Sequence, residues 1–164
     1  MSKKSAGILV YRYKDERLEV LLVHPGGPFF SRKDAGVWSI PKGEYSEQEE
    51  PLEVAKREFF EETGNTIDSG NFIALTPVRI KSGKTISVWA AEADFDPCYI
   101  CSNEFEIEWP PKSGKMQSFP ETDKGEWFDT EEAMIRIHPG QAAIVLELKT
   151  ILDKTSGYSD PSGR

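Results

Sequence analysis

The chain has 164 residues, a length that suits one domain with a hydrophobic core of its own. Hydrophobic residues make up 38% and charged residues 29% of the sequence, a balance that indicates a globular protein and not a disordered one. The net charge of −8 disfavours generic binding to a nucleic-acid backbone, which requires lysine and arginine to neutralise phosphates. No apolar run approaches the roughly 20 residues that span a bilayer, so we expect no transmembrane segment.

The amino terminus combines lysines with a short apolar run, as a secretory signal peptide does. Residues 11–14, Tyr-Arg-Tyr-Lys, interrupt this run after a few positions, too early for such a segment. We therefore expect a cytoplasmic protein.

The first part of the chain predicts an antiparallel hairpin followed by a loop. Residues 5–13 and 17–24 are rich in β-branched and aliphatic side chains, and residues 15–16 between them suit a short turn. Glycine and proline mark residues 25–36 as an extended loop, and residues 37–40 predict a short strand after it.

A helix is predicted to begin at Pro51 and to stop at Gly64. Proline is favoured at the first helical position, and glycine favours the left-handed conformation that ends a helix. Leu52, Ala55 and Phe59 follow the spacing i, i+3, i+7, so we expect them to pack on a sheet.

The second part predicts more strands and two helices. Residues 71–80 and 84–93 suit a second hairpin around residues 82–83, and residues 104–109 and 125–128 suit two further short strands.

Thr130 is expected to cap a short helix, and Pro139 to open a longer one that runs to about Leu152. Its buried candidates are Ala143, Leu146 and Ile151. This order of elements predicts a mixed-sheet α/β or α+β fold. We expect one domain over residues 1–154 and a mobile tail, rich in serine, glycine and proline, over residues 155–164.

Cys98 and Cys101 form a single Cys-x-x-Cys motif. A structural zinc site needs four ligands, but no second pair follows, and His24 and His138 lie far away in the sequence. A redox motif would lie at a strand-to-helix turn, whereas this pair lies near a strand end. We expect ordinary buried or half-buried thiols that hold no metal.

Three glutamates, Glu58, Glu61 and Glu62, fall within about 100° of one another on the predicted helix. Like charges at these spacings destabilise an isolated helix by about 0.2–0.5 kcal/mol per pair. Such a cluster is either a solvated acidic face or a set of hard oxygen ligands for magnesium or manganese.

The flanking residues favour the second interpretation, because they resemble the Nudix box. That motif reads glycine, five residues, glutamate, seven residues, arginine-glutamate, two residues, two glutamates, one residue, and glycine. The residues that match it are Gly43, Glu49, Arg57, Glu58, Glu61, Glu62 and Gly64. The sequence departs from the motif at two apolar positions, where Phe59 is bulkier than usual and Asn65 is polar.

The resemblance implies a fold and an activity. The fold is an α/β/α sandwich with a mixed sheet, in which the box forms a loop–helix–loop. The activity is metal-dependent hydrolysis of a pyrophosphate bond, with magnesium or manganese held by Glu58, Glu61 and Glu62. In the family, Gly43 would lend a backbone carbonyl to a metal.

The resemblance also implies supporting roles within the box. Arg57 and Glu49 would contact each other across the loop and orient the metal ligands. Either Glu58 or Glu62 is a candidate for orienting or deprotonating the attacking water, because the general base varies within the family.

A further carboxylate is expected from outside the box. Glu121 follows Pro120 and precedes a strand that carries Trp127, which resembles bacterial Nudix enzymes acting on dinucleoside polyphosphates or RNA 5′-ends. We expect Glu121 to be a metal ligand or base, with Glu126 as the competing candidate.

Two segments resemble asymmetric diadenosine tetraphosphate hydrolases: residues 5–12 as the opening strand, and residues 38–43, Trp-Ser-Ile-Pro-Lys-Gly, as the approach to the box. Lys42 is therefore a candidate phosphate contact. Trp109 is a candidate to stack on a nucleobase; the other aromatic candidates are Phe29 and Trp89.

The expected partner is a small nucleotide, above all a dinucleoside polyphosphate such as diadenosine tetraphosphate. A nucleoside triphosphate, ADP-ribose and an RNA 5′-end remain alternative substrates, the last disfavoured by the net charge of −8. A different class, the inactive nucleotide-sensing domain, typically loses box glutamates, whereas all three remain here. The sequence leaves the oligomeric state open.

Overall fold

The computed structural model describes residues 3–67, 70–97 and 101–155. In these residues the chain forms nine strands and three α-helices. The strands are β1 (Lys4–Lys14), β2 (Arg17–Pro25), β3 (Lys42–Glu44), β4 (Ile73–Ala74), β5 (Val78–Arg79), β6 (Thr85–Glu92), β7 (Glu104–Glu108), β8 (Met116–Pro120) and β9 (Thr122–Asp129). The helices are α1 (Pro51–Thr63), α2 (Thr130–Arg136) and α3 (Ala142–Thr155).

Seven strands form one mixed sheet, in the order β4-β6-β1-β2-β9, with β3 beside β1 and β5 beside β6. Strands β1 and β6 are parallel, whereas the other pairs in this sheet are antiparallel. The remaining strands, β7 and β8, form a separate antiparallel hairpin. The predicted mixed sheet is confirmed.

Helices cover both faces of this sheet. Helix α1 packs on one face, where Val54, Ala55 and Phe59 join a core with inward-facing residues of β1 and β6. Helices α2 and α3 pack on the other face over a larger core that contains Trp38. The molecule is therefore an α/β/α sandwich, as the resemblance implied.

The first hairpin and the limits of α1 agree with the sequence. Asp15 and Glu16, in the tight turn between β1 and β2, have positive φ angles of 52° and 64°. Gly64 ends α1 at φ 75° and donates its N–H to the carbonyl of Phe60 at 2.7 Å. On the buried face of α1, Val54 is more deeply buried than the expected Leu52.

Two predicted strands differ in the structure. Residues 37–40 form isolated bridges, from Ser39 to Val23 and from Trp38 to Ile137. Residues 71–80 are split into β4 and β5, because Pro77 lacks an N–H and the N–H of Thr76 donates to Glu147 at 2.8 Å. Strand β8 had no clear signal in the sequence.

The start of α2 also differs from the prediction. Asp129, not Thr130, caps the helix, because its carboxylate accepts the N–H of Glu132 at 2.8 Å.

The buried face of α3 was predicted incorrectly. Pro139 opens a 3₁₀ turn that ends at Gln141, and α3 begins only at Ala142. Ala143 and Leu146 are exposed, and Ile151 is half-buried. The residues of α3 that enter the core are Ile144, Val145, Leu148 and Leu152.

Three other expectations concern thiols, the tail and membranes. Cys101 is an exposed free thiol, so it is not buried as expected, and Cys98 lies outside the described residues. We expect a mobile tail over residues 155–164; Thr155 is the last residue of α3, and residues 156–164 lie outside the described residues. Among the described helices, none is long and apolar enough to cross a membrane.

The two leucines of α3 give a matched test of this packing. Leu148 is fully buried, whereas 52% of Leu146 is exposed. Replacing Leu148 with Ala should lower the free energy of unfolding by about 2–5 kcal/mol because it opens a cavity. Replacing Leu146 with Ala should change it by less than about 0.5 kcal/mol. Urea denaturation measures both, and equal losses would contradict the observed phase of the helix.

Candidate active site

Helix α1 presents Glu58, Glu61 and Glu62 beside strand β3. All three side chains are half-buried. The Glu62 carboxylate accepts the backbone N–H of Lys42 at 3.0 Å, so a residue of β3 fixes the end of this side chain. The predicted common face of the three glutamates is therefore directed toward the sheet edge.

Gly43 allows β3 to come this close to the helix. A Cβ atom built on Gly43 would overlap the Glu58 carboxylate and its Cγ atom. Only glycine fits here without moving Glu58, which accounts for the first residue of the motif.

Arg57, on α1, connects this helix to the loop that precedes it. Its guanidinium donates to Glu49 at 3.1 Å and lies 3.6 Å from the Glu58 carboxylate. Glu49 in turn accepts the N–H of Ser46 at 2.9 Å. The structure thus brings Arg57 and Glu49 together, and it places Arg57 against one of the clustered carboxylates.

Glu121 reaches the same region from a distant segment. It lies in the turn between β8 and β9, where its N–H donates to Asn103 at 2.8 Å and its carbonyl accepts from Gly26 at 2.9 Å. The negative charge of Glu121 helps to raise the pKa values of both Glu58 and Glu62. Glu126, the competing candidate, is exposed on β9 opposite Leu22.

The cluster carries more negative charge than its surroundings neutralise. Burial raises the pKa of Glu62 to about 8, and the charges of Glu58 and Glu121 add to this effect against the opposing charge of Lys42. Burial, followed by the charge of Glu61, raises the pKa of Glu58 to about 7. These shifts arise because burial disfavours the charged carboxylates and neighbouring negative charges add to the effect, despite the opposing charges of Arg57 and Lys42.

A hard divalent cation fits the chemistry of these donors, which are all carboxylate oxygens. The described residues contain no three acidic, histidine or cysteine side chains that already converge on one ion position. Binding would therefore draw the mutually repelling carboxylates together. Glu58, Glu61 and Glu62, the ligands that the resemblance to the Nudix box implies, would hold such a cation.

The candidate substrate contacts lie in different surroundings. Lys42 is half-buried next to the carboxylates, and burial is the largest cause that lowers the pKa of its ammonium. Trp109 follows the β7 strand and contacts Phe29 edge to face, with ring centroids 5.3 Å apart. Trp89 packs against the core under α1, so it is a structural residue.

Sequence reasoning missed three residues that hold the Glu121 turn in place. The Thr122 hydroxyl contacts Glu62 at 3.4 Å. His24, which is buried, lies 2.9 Å from the Asp123 carboxylate through Nδ1, and its Nε2 donates to the carbonyl of Lys33 at 2.6 Å. In the sequence, only the position of His24 near the end of an apolar strand could have indicated these contacts. The contacting residues are too far apart in the sequence for a local pattern to relate them.

Solved structures share this fold at low sequence identity. The NUDIX domain of Shewanella oneidensis NrtR, complexed with ADP ribose, is 16% identical with a TM-score of 0.63, covering 93% of this chain and 89% of that chain. An Ap4A hydrolase of C. elegans is 20% identical with a TM-score of 0.60. The match covers 93% of this chain and 98% of that chain. At these identities the likeness shows the fold alone.

Sequence comparisons identify relatives more directly. An RNA pyrophosphohydrolase of Bartonella henselae is 35% identical over 66 residues. The match covers 38% of this chain and only about a third (35%) of that protein's length. The model of the NUDIX domain family matches residues 1–148, which is most of the chain. The chain therefore belongs to the Nudix domain family.

Proposed function

We propose that the chain is a pyrophosphohydrolase that cleaves a nucleoside diphosphate linked to another group. One observation supports this above the others: the three box glutamates are half-buried on one helix, and the exposed Glu121, from a distant part of the sequence, lies close enough for its charge to raise the pKa values of Glu58 and Glu62. Because their mutual repulsion is costly, a cluster of this kind is typical of a site that binds cations.

The proposed roles follow from the contacts. Glu58, Glu61 and Glu62 hold magnesium or manganese, and the backbone N–H of Lys42 keeps Glu62 oriented. Arg57 restrains Glu58, while Glu49 restrains Arg57. A cation held by these residues would neutralise charge on the phosphates and lower the pKa of a water.

Glu121 supplies the carboxylate from the opposite segment. Its turn is fixed by backbone hydrogen bonds to Asn103 and Gly26, so the side chain starts from a defined position. In this proposal Glu121 completes the ligand set or takes the proton of the attacking water.

Dinucleoside polyphosphates are the proposed substrates, with diadenosine tetraphosphate first. The approach to the box, residues 38–43, supports this choice through its resemblance to asymmetric diadenosine tetraphosphate hydrolases. The Bartonella relative favours an RNA 5′-end as the second candidate, against which stands the net charge of −8. Nucleoside triphosphates and ADP-ribose are further alternatives.

An inactive sensor is the competing proposal from a different class. It would bind a nucleotide at the same cleft without cleaving it. The retention of Glu58, Glu61 and Glu62 in one cluster with Glu121 favours catalysis.

Replacing Glu62 with Gln tests the proposed activity. The amide oxygen can still accept the N–H of Lys42, but the charge is lost, so turnover should fall about a hundredfold or more. The assay is magnesium-dependent conversion of diadenosine tetraphosphate to ATP and AMP, followed by chromatography. Glu53→Gln, an exposed position on the same helix, is the control and should retain full activity.

Near-normal turnover of Glu62→Gln at saturating magnesium would contradict the role of this residue. If the wild type cleaves other nucleotides but not diadenosine tetraphosphate, the proposed substrate is wrong and the proposed class of reaction still holds. A wild type that cleaves none of the candidate substrates would favour the sensor.

Glu121→Gln tests the carboxylate from outside the box. If Glu121 acts mainly in the transition state, the turnover number should fall much more than the Michaelis constant rises. Glu126→Gln is the matched control, because this competing glutamate is exposed on the neighbouring strand. Equal effects of the two variants, or an unchanged turnover number for Glu121→Gln, would exclude the role.

The clustered carboxylates should also make the stability of the metal-free protein depend on pH. Glu62 has an ordinary pKa of 4.5 when unfolded and one of about 8 when folded, so between these values the folded protein binds more protons. The free energy of unfolding should therefore fall as the pH rises from about 5 to about 8. Thermal unfolding in EDTA measures this loss.

The Glu62→Gln variant should lose less stability over the same pH range, because an amide does not titrate. Excess magnesium should raise the stability of the wild type, and this increase should be largest at the higher pH. Identical pH profiles for wild type and variant would contradict the electrostatic account.

A further inference from the structure

His24 is a buried histidine to which the proposed mechanism gives no role. It lies on β2, and only 2% of the residue is exposed. Its Nε2 atom is 2.6 Å from the carbonyl oxygen of Lys33, and its Nδ1 atom is 2.9 Å from a carboxylate oxygen of Asp123. Each ring nitrogen therefore faces an oxygen, and the two oxygens belong to different segments of the chain.

The chemistry of these oxygens determines the protonation of the ring. A backbone carbonyl can only accept a hydrogen bond, and so can an ionised carboxylate. About a third (34%) of the Asp123 side chain is exposed, so water helps to solvate its charged form. A neutral imidazole has one N–H and could donate to only one of the two oxygens. Both contacts are satisfied when the His24 ring is an imidazolium, with an N–H on each nitrogen.

The other charged groups around the ring offset one another. Trp38 packs edge to face against His24, with ring centroids 5.2 Å apart. The Lys124 ammonium lies 5.6 Å from the centre of the same indole ring, while the indole N–H donates to the Asp34 carboxylate at 2.7 Å. Asp34 is also paired with Arg136 at 2.7 Å. The carboxylate beside Nδ1 is therefore the counter-ion of the imidazolium, and a charge this deeply buried requires one.

The two contacts of the ring join the turn that carries Glu121 to the loop that follows β2. Asp123 lies two residues after Glu121, and Lys33 lies in the loop. The same two segments are joined a second time, because the N–H of Gly26 donates to the carbonyl of Glu121 at 2.9 Å. His24 therefore connects the backbone from which the Glu121 side chain extends to a fixed part of the sheet.

We propose that His24 is a positioning residue, a buried imidazolium that holds the Glu121 turn in place through its ion pair with Asp123. The consequence for catalysis rests on the proposed function of Glu121, whereas the charge of the ring does not. His24 acts through Asp123, and both of its hydrogen bonds require the second ring proton.

Nitrogen-15 NMR of the full chain, labelled at histidine and kept at pH 7 in EDTA, tests the charge of the ring directly. Both nitrogens of His24 should give the signals of N–H groups. His138, the other histidine of the sequence, is an internal control. It is exposed and accepts the N–H of Gly140 through Nδ1 at 3.0 Å, so its Nδ1 should resemble an unprotonated nitrogen. Replacing His138 with Gln assigns the two sets of signals.

Asp123→Asn separates the charge from the hydrogen bond. An asparagine amide can turn its NH2 group toward Nδ1, so the contact is kept while the ring becomes neutral, with its proton on Nε2. The Gly26 amide proton should then exchange with solvent about tenfold faster, because the turn opens more often. Turnover should fall about tenfold with little change in the Michaelis constant, as expected when a residue that orients a reacting group is altered.

Glu106→Gln is the control for the loss of one negative charge. Glu106 is exposed on β7, and its replacement should change neither the His24 signals, nor the exchange of Gly26, nor the turnover. A purely structural hydrogen bond to His24 predicts that Asp123→Asn behaves like this control.

An unprotonated ring nitrogen on His24 in the wild type would overturn the proposal. So would an Asp123→Asn variant that matches Glu106→Gln in amide exchange or in turnover. A wild type that cleaves none of the candidate substrates contradicts the proposed function instead, because the ring signals and the exchange of Gly26 test the charge and the position of the turn without catalysis.

Discussion

The hydrogen bond from the backbone N–H of Lys42 to the Glu62 carboxylate joins strand β3 to the carboxyl-terminal half of α1. A backbone donor in a strand cannot move away from the acid, so Glu62 stays in a half-buried position beside other negative charges. The absence of a side chain at Gly43 lets Glu58 take up the neighbouring space. The sheet edge therefore fixes an arrangement of carboxylates that electrostatic repulsion alone would disperse.

The segment between the two sheets explains how Glu121 joins this arrangement. Cys101 and Asn103 donate their N–H groups to the carbonyls of Thr63 and Glu61, each at 3.0 Å. The carbonyl of Asn103 then accepts the N–H of Glu121 at 2.8 Å. Because these contacts involve the last turn of α1, the helix that carries the box glutamates also positions the fourth carboxylate.

The parts of the site that could be predicted from the sequence are those set by short-range spacing. Pro51 and Gly64 mark the ends of one helix, so the relative positions of Glu58, Glu61 and Glu62 follow from helix geometry. Glu121 was identified through its resemblance to a family pattern, since spacing within the chain could not relate it to α1.

Contacts between distant segments could not be predicted. Thr122 lies 60 positions from Glu62, and His24 lies 99 positions from Asp123, so no local pattern signals either contact. The buried face of α3 was mispredicted for a different reason. Apolar residues occur on most sides of α3, so the sequence did not distinguish the face of Leu148, which is buried, from that of Leu146, which is exposed.

In the proposed mechanism these carboxylates form a site with excess negative charge, which a divalent cation would neutralise. Calorimetric titration with manganese at pH 7, in two buffers of different ionisation enthalpy, measures the protons released on binding. Because the pKa values of Glu58 and Glu62 are raised to about 7 and about 8, we expect binding to release protons at pH 7. The release should become negligible at pH 9.5. Manganese binding without proton release at pH 7, or no binding at all, would contradict the account.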